Sequence, residues 1–332
     1  MFHVKHSSDF ELCFFVSRET YMCYNIEKMR IGAIKMRKIA IIVNPVAGNG
    51  KTIDTLPIIK DVFNKYKDTI ELKIVLSKNK GDVTALANTI SKEGINEFIA
   101  VGGDGTLSEL INGLDYSINI IYKVGIIPWG TGNDFIKSLN NEKNIVKILK
   151  NVIENRVRIV DLGKVNEHYF INVCSFGIDG PIIRDTEKLK KVFPGHPAYL
   201  ISTLKSGLVF KAQQTKVTVD DREYKGNMIL IAVGNGKYIG GGMNVCPDAK
   251  IDDGLFEVCL VNNVSKLKFM KEIGKVYKGR LGEVEEVIYD RGKEISIEVE
   301  GAQYQINVDG NLIGTTPSKI RFSKHKMYVF GE

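Results

Sequence analysis

Between Phe98 and Leu114 the chain runs an apolar strand, Phe98–Val101, through Gly102-Gly103-Asp104-Gly105-Thr106 and directly into a helix. Leu107, Leu110, Ile111 and Leu114 fall at i, i+3, i+4 and i+7, the spacing of one helical face. A strand that turns on glycines into a helix is the building unit of a layered α/β domain. Glycines let the backbone approach a ligand, and the helix start offers unbonded N–H groups and a positive dipole end, so phosphate is the natural guest. The Asp104 carboxylate would repel phosphate unless Mg²⁺ stood between them. A tight turn capped by an aspartate accounts for the same residues with no ligand at all. The dinucleotide fingerprint is excluded, because its third glycine is missing.

The unit recurs. Ile39–Val43, a continuous apolar run of the kind found in buried parallel strands, leads into Asn44-Pro45-Val46-Ala47-Gly48-Asn49-Gly50-Lys51-Thr52. Gly50-Lys51-Thr52 suggests a P-loop, but Pro45 stands where that motif needs glycine, so the assignment fails. The strand Val124–Ile127 leads into Pro128-Trp129-Gly130-Thr131-Gly132-Asn133-Asp134-Phe135, where Thr131 and Asn133 can bond phosphate and Asp134 adds a second acid. Three such turns following three parallel strands converge on the carboxyl edge of one sheet, where open α/β sheets bind ligands. Another strand is read at Glu71–Leu76. Helices are read at 53–67, 81–93, 106–114, 133–139 and 142–155. The expectation is a three-layer, mostly parallel α/β domain.

After about Arg156 the rhythm changes to strands with hairpin-like links: Val157–Val165, Tyr169–Ser175, Lys216–Asp220, Tyr224–Val233, Leu255–Val261, Glu294–Glu300 and Tyr304–Val308. Helices are expected near 184–208 and 265–278. The second half therefore reads as a mostly antiparallel β-sandwich. Pro317 ends the β-rich run, and the apolar stretch Met327–Phe330 is expected to return to the first sheet. The predicted domains are residues 37–157 plus 317–332, and residues 158–316. Residues 1–36 lack a sustained period and the features of a secretory signal, and are expected to be a weakly ordered extension.

Composition bounds the partners. The 332 residues are 44% hydrophobic and 26% charged, which excludes a wholly disordered chain. No stretch of 18 apolar residues occurs, so a membrane-spanning helix is not expected and any membrane role is peripheral. A formal charge of +7 favours anionic partners without choosing among them. Cys13, Cys23, Cys174, Cys246 and Cys259 are scattered, which fits reduced thiols in a cytoplasmic protein. The five histidines form no metal-binding pair.

The order and spacing of these turns resemble the diacylglycerol kinase catalytic family, which includes the soluble bacterial diacylglycerol kinases, sphingosine kinases and ceramide kinases. The likeness extends through Gly234-Asn235-Gly236-Lys237-Tyr238-Ile239-Gly240-Gly241-Gly242, Pro247-Asp248-Ala249-Lys250-Ile251-Asp252-Asp253-Gly254-Leu255 and Val308-Asp309-Gly310, and covers roughly residues 37–330. It implies that ATP contacts Asn44, Pro45, Val46, Ala47, Gly48, Ser77, Gly102, Gly103, Gly105, Thr106, Leu107, Ser108, Glu109 and Thr131. It implies that Asp104 and Asp134 are catalytic and orient Mg²⁺. A second, structural Mg²⁺ is implied at the Asp253 carboxylate and the main-chain carbonyls of Lys250 and Leu255, although a plain hairpin explains that turn equally well. The implied reaction is phosphoryl transfer from ATP to the hydroxyl of diacylglycerol. The implied partners are that lipid, an anionic membrane touched transiently and a second copy of the chain; no nucleic acid is expected.

One departure stands out. The family usually carries Glu after Val-Asp-Gly, as base for the acceptor hydroxyl; here Asn311 stands there and cannot take a proton. Asp104 lies where a related lipid kinase group places its base, and could serve instead. Residues 184–205 carry Arg184, Lys188, Lys190, Lys191 and Lys205 against Asp185 and Glu187, with Phe193, Tyr199 and Leu200 interleaved. This is either a membrane-docking surface or an ordinary solvated helix face. Alternatives to diacylglycerol kinase are a sphingoid-base or other lipid kinase, an NAD kinase-like enzyme, which shares the Gly-Gly-Asp-Gly turn, and a catalytically silent lipid- or nucleotide-binding protein.

Overall fold

Along the strand Arg37–Val43 the side chains alternate between two cores. Ala40 and Ile42 pack with Phe98, Ala100, Leu107, Leu110 and Val124 on one face, while Ile39, Ile41 and Val43 pack with Ile59, Phe63, Ile99, Ile148 and Val152 on the other. Both faces are covered by helices, which is why Ile39–Val43 is a continuous apolar run rather than an alternating one. The computed structural model describes residues 11–17, 20–25, 36–117, 120–190 and 196–331. The expectation for residues 1–36 falls largely outside these; the described part of that segment holds the strands Glu11–Ser17 and Thr20–Asn25, paired antiparallel.

The first sheet has six strands, in the order Ile70–Leu76, Arg37–Val43, Glu97–Gly102, Lys123–Pro128, Met327–Phe330 and Val157–Val160. All neighbours are parallel except the last pair. The strand Met327–Phe330 thus lies inside the first sheet, beside Lys123 and Val124.

The second sheet has eleven strands, and every pair in it is antiparallel. Its longest strand, Arg222–Gly234, pairs with Gln213–Val219 along its first half and with Val173–Gly177 along its second, so one strand serves both layers of a sandwich. The layers close on Phe170, Phe176, Val217, Ile231, Phe256, Leu260 and Ile306. Phe256 stacks on Phe322 with ring centroids 3.8 Å apart.

Two boundaries differ from the sequence reading. The expected strand Val157–Val165 divides into Val157–Val160 in the first sheet and Gly163–Val165 in the second. The break is at buried Asp161, whose N–H donates to Ile251 O at 2.7 Å and whose carboxylate takes the Gly254 N–H and Lys326. The return begins later than Pro317, because Ser318–Phe322 pairs with Glu294–Val299 and Gly163–Val165 in the second sheet. Periodicity cannot assign a strand to a sheet, because a buried position reads the same whichever core it packs in. The helix expected over 184–208 is two, Asp179–Leu189 and His196–Val209.

Candidate active site

The ladders of the first sheet run on into the turns at its carboxyl edge. Asn44 N–H donates to Val101 O (3.0 Å), Ser77 N–H to Val43 O (2.9 Å) and Trp129 N–H to Gly102 O (2.7 Å), which locks the turns against one another. A Cβ on Gly103 would lie 2.8 Å from Gly130 Cα, so the two turns meet backbone to backbone. Asn133, at φ 49°, closes the third turn: its carboxamide accepts from Gly130 N–H (2.9 Å) and donates to Gly130 O (2.8 Å).

That closure aims the start of the Asp134–Leu139 helix at Asp104. The Asp104 carboxylate accepts from the N–H groups of Asp134 (3.0 Å) and Phe135 (3.1 Å). Asp134 in turn takes Lys137 Nζ (2.8 Å) and Gly241 N–H (2.7 Å), the latter from the second domain. Both carboxylates face Gly132, where a Cβ would sit 3.1 Å from Asp104 Oδ2 and 3.2 Å from Asp134 Oδ2. Desolvation and then the Asp134 charge push Asp104 up to about 6, against the lowering effect of the two N–H groups.

These residues line a cavity of about 1020 Å³ between the domains. Of the residues implied by resemblance, Asn44, Pro45, Val46, Ala47, Gly48, Ser77, Gly103, Asp104, Gly105, Thr106, Glu109, Thr131 and Asp134 border it. Gly102, Leu107 and Ser108 do not, and each is buried for a structural reason. Leu107 belongs to the core, Ser108 O accepts from Asn112 Nδ2, and a Cβ on Gly102 would meet Thr106 Oγ1 at 2.3 Å.

The second domain supplies residues that the sequence reading did not single out as site residues. Buried Asp309, at φ 48°, accepts the N–H groups of Ile171 (2.9 Å), Asn172 (3.1 Å) and Val173 (2.9 Å). Burial is the main influence on it and pushes it up to about 7. Asp179 is also buried; it takes Ser175 Oγ and Asn307 Nδ2 on Oδ2, and Tyr199 OH on Oδ1 at 3.2 Å. Burial raises it too. Asp179, Tyr199, Asn307, Asp309 and Asn311 all border the cavity. Val308-Asp309-Gly310 was legible as a motif, but Asp179 carries no sequence signal beyond being an acid at a helix start.

The donor chemistry at Gly132 fits Mg²⁺: the hard Asp134 carboxylate on one side, with Asp104 beside it and room in the cavity for phosphate oxygens to complete the shell. Among the described residues no group of three or more His, Cys, Asp or Glu is placed to hold a metal. The Asp252-Asp253-Gly254 turn is different and does not border the cavity. Asp253 Oδ1 accepts from Leu255 N–H at 3.0 Å, and Arg291 pairs with Oδ2; Asp252 pairs with Arg158 at 2.7 Å. A divalent ion held by Asp253, Lys250 and Leu255 would have to displace the Arg291 guanidinium. The set does not fit the ion as it stands, and we assign no metal to it.

In the basic segment, Lys205 pairs with Asp185 at 2.7 Å, and Tyr199 turns inward to Asp179 rather than outward. Lys191 and Phe193 lie outside the described residues. No helix among the described residues is long and apolar enough to cross a membrane.

A family described as "Diacylglycerol kinase catalytic domain" matches residues 38–165, and one described as "YegS C-terminal NAD kinase beta sandwich-like domain" matches residues 172–331. A diacylglycerol kinase of Staphylococcus saprophyticus is 32% identical over 297 residues, covering 89% of this chain and 96% of that protein. One of Staphylococcus haemolyticus is 32% identical over 296 residues, covering 89% and 88%. Among solved structures, a putative diacylglycerol kinase of Bacillus anthracis superposes with a TM-score of 0.70 at 28% identity, covering 88% of this chain and 97% of that one.

Proposed function

The chain belongs to the diacylglycerol kinase catalytic family, and from that premise we propose that it transfers the γ-phosphoryl of ATP to the hydroxyl of diacylglycerol, giving phosphatidic acid. The observation that carries this reading is the pair Asp104–Asp134, held across Gly132 at the carboxyl edge of the parallel strands and faced by the second domain. The turns after Val43 and Val101 would take the triphosphate on backbone N–H groups, with Lys78 and Lys80 beside them. Asp134, fixed by Lys137 and Gly241, would hold Mg²⁺, which when bound neutralises the phosphate charge. The acceptor oxygen attacks the γ-phosphorus as the bond to the bridging β-γ oxygen breaks and ADP leaves. Asp104 takes the hydroxyl proton: with its pKa near 6 it is mostly ionised at neutral pH, yet basic enough to help.

Lipid as acceptor is supported by a second, apolar chamber beside the cavity, lined by Ile182, Ile229, Met243, Phe269, Ile273 and Val276. Peripheral contact with an anionic membrane is supported by apolar residues on the adjoining His196–Val209 and Lys266–Val276 helices. Leu200, Leu208, Val209, Leu267 and Met270 stand exposed there, Leu267 by 82%. Lys266 and Lys271 share the second helix with Leu267 and Met270. A silent binding protein is the second reading, favoured by Asn311 at the cavity wall. Radiolabelled ATP offered with diacylglycerol, sphingosine or NAD discriminates: label in phosphatidic acid supports the proposal, label in another acceptor redirects it, and label in none favours the silent binder.

A further inference from the structure

The cavity and the apolar chamber share two residues, Asp179 and Ile239. The chamber is small in this state, about 80 Å³ against about 1020 Å³. Tyr199 bonds one of the two shared residues and packs on Gly240, the neighbour of the other. It comes from the His196–Val209 helix, borders the cavity and donates its hydroxyl to Asp179 Oδ1. The other carboxylate oxygen is taken by Ser175 and Asn307, so Oδ1 is the face that an incoming group could use.

The fit of the ring is specific. Gly240, at φ +60°, has no side chain because a Cβ would lie 2.2 Å from Tyr199 Cζ. The ring tip is thereby pressed between Asp179 and the loop whose Gly241 N–H holds Asp134. Two further polar atoms at the same wall have no partner: Asn307 Oδ1 and Thr186 Oγ1, on side chains that are both 4% exposed and border the cavity. A buried hydroxyl left unpaired is costly, so Thr186 Oγ1 points to a ligand atom that accepts from it.

Resting on the lipid-kinase reading, we propose that Tyr199 is a latch between these two spaces and sets which acceptors enter. Its hydroxyl occupies Asp179 Oδ1, and the single hydroxyl of an entering long-chain glycerolipid takes its place on the way in, before it moves on to Asp104 and the γ-phosphoryl. Exchanging one O–H donor for another on the same carboxylate is nearly balanced, so the step is reversible. The released ring leaves the seam beside Ile239, and the first methylenes of the acyl chain enter the apolar chamber. Thr186 would then donate to an ester carbonyl. Short polar alcohols could still displace the tyrosine, but they bury no chain and gain nothing from the opening.

The test measures binding and transfer separately. Binding of a pyrene-labelled diacylglycerol in nonionic micelles is followed by fluorescence without ATP, for the full chain and for Tyr199→Phe. The substitution keeps the ring against Gly240 and removes only the competing hydroxyl. Binding should tighten roughly three- to tenfold, and the KM for dioleoylglycerol should fall with it while the KM for ATP stays put. Val276→Phe, which fills the chamber, should weaken dioleoylglycerol far more than dioctanoylglycerol. Unchanged or weaker pyrene-lipid binding in Tyr199→Phe overturns the latch, as does failure of both forms to bind. A chain that binds the lipid more tightly as Tyr199→Phe but transfers no phosphoryl upholds the latch and overturns the kinase reading.

Discussion

The carboxylate of Asp104 accepts the backbone N–H groups of Asp134 and Phe135, thirty and thirty-one residues further along, at 3.0 and 3.1 Å. One acid thereby caps the start of the helix that carries the other, so the separation of the two carboxylates is set by main chain rather than by flexible side chains. The catalytic proposal depends on that rigidity.

Asp104→Asn should lower phosphoryl transfer by about 10²–10⁴-fold, the usual contribution of a general base. The fold should survive with a loss of about 1 kcal/mol, because the amide can accept one N–H but not both. Label transfer and thermal unfolding check the two halves. Near-normal turnover would remove Asp104 from the mechanism.

The pH profile follows from the same residue. Asp104 acts ionised, and desolvation and Asp134 hold it at about 6. Activity as kcat/KM should therefore be full above that pH and fall as pH drops through about 6. A profile flat down to pH 5 would place the base elsewhere.

Asn311→Glu probes the other position at which a base could stand. With Asp104 already in that role, a new carboxylate at the cavity wall should change kcat only modestly. A rise of about a hundredfold or more, within reach of general-base help, would show that the base belongs at 311.

Asp309→Asn should destabilise by about 1–3 kcal/mol. The carboxylate serves three N–H donors, whereas the amide must turn its own N–H₂ toward Ile171 N–H or toward the Asn172 and Val173 pair. Denaturant unfolding measures this, and a neutral result would mean that water replaces the lost acceptor.

Millimolar Mg²⁺ without nucleotide should leave thermal unfolding of the chain unmoved, because Arg291 already neutralises Asp253. Arg291→Ala should unfold about 1–3 °C lower and regain the loss with Mg²⁺. A marked rise in the unsubstituted chain that Asp253→Asn abolishes and Asp134→Asn does not would restore the structural metal to that turn.

Much of the α/β half is legible because its signals are local. Apolar runs report strands buried on both faces, glycines report turns that approach a ligand, and the apolar spacing after Thr106 reports a helix. None of these requires knowledge of what lies across the cavity. The second half is legible as strands, but its pairings are not. A period of two says that one face is buried and is silent about the partner, so Val157–Val165 reads as one strand although Asp161 divides it between sheets.

What the sequence determined by itself is therefore the α/β unit, the carboxyl edge where its glycine turns meet, and Asp104 and Asp134 as the acids placed there. Tertiary structure alone decided that Asp309 would cap a turn 137 residues away, that Asp179 would face Tyr199 and Asn307, and that Gly241 would cross between domains to hold Asp134. It also decided the chemistry, since the upward shifts of Asp104, Asp179 and Asp309 come first from desolvation. Desolvation depends on every atom that packs around a group, and no local pattern of residues encodes it.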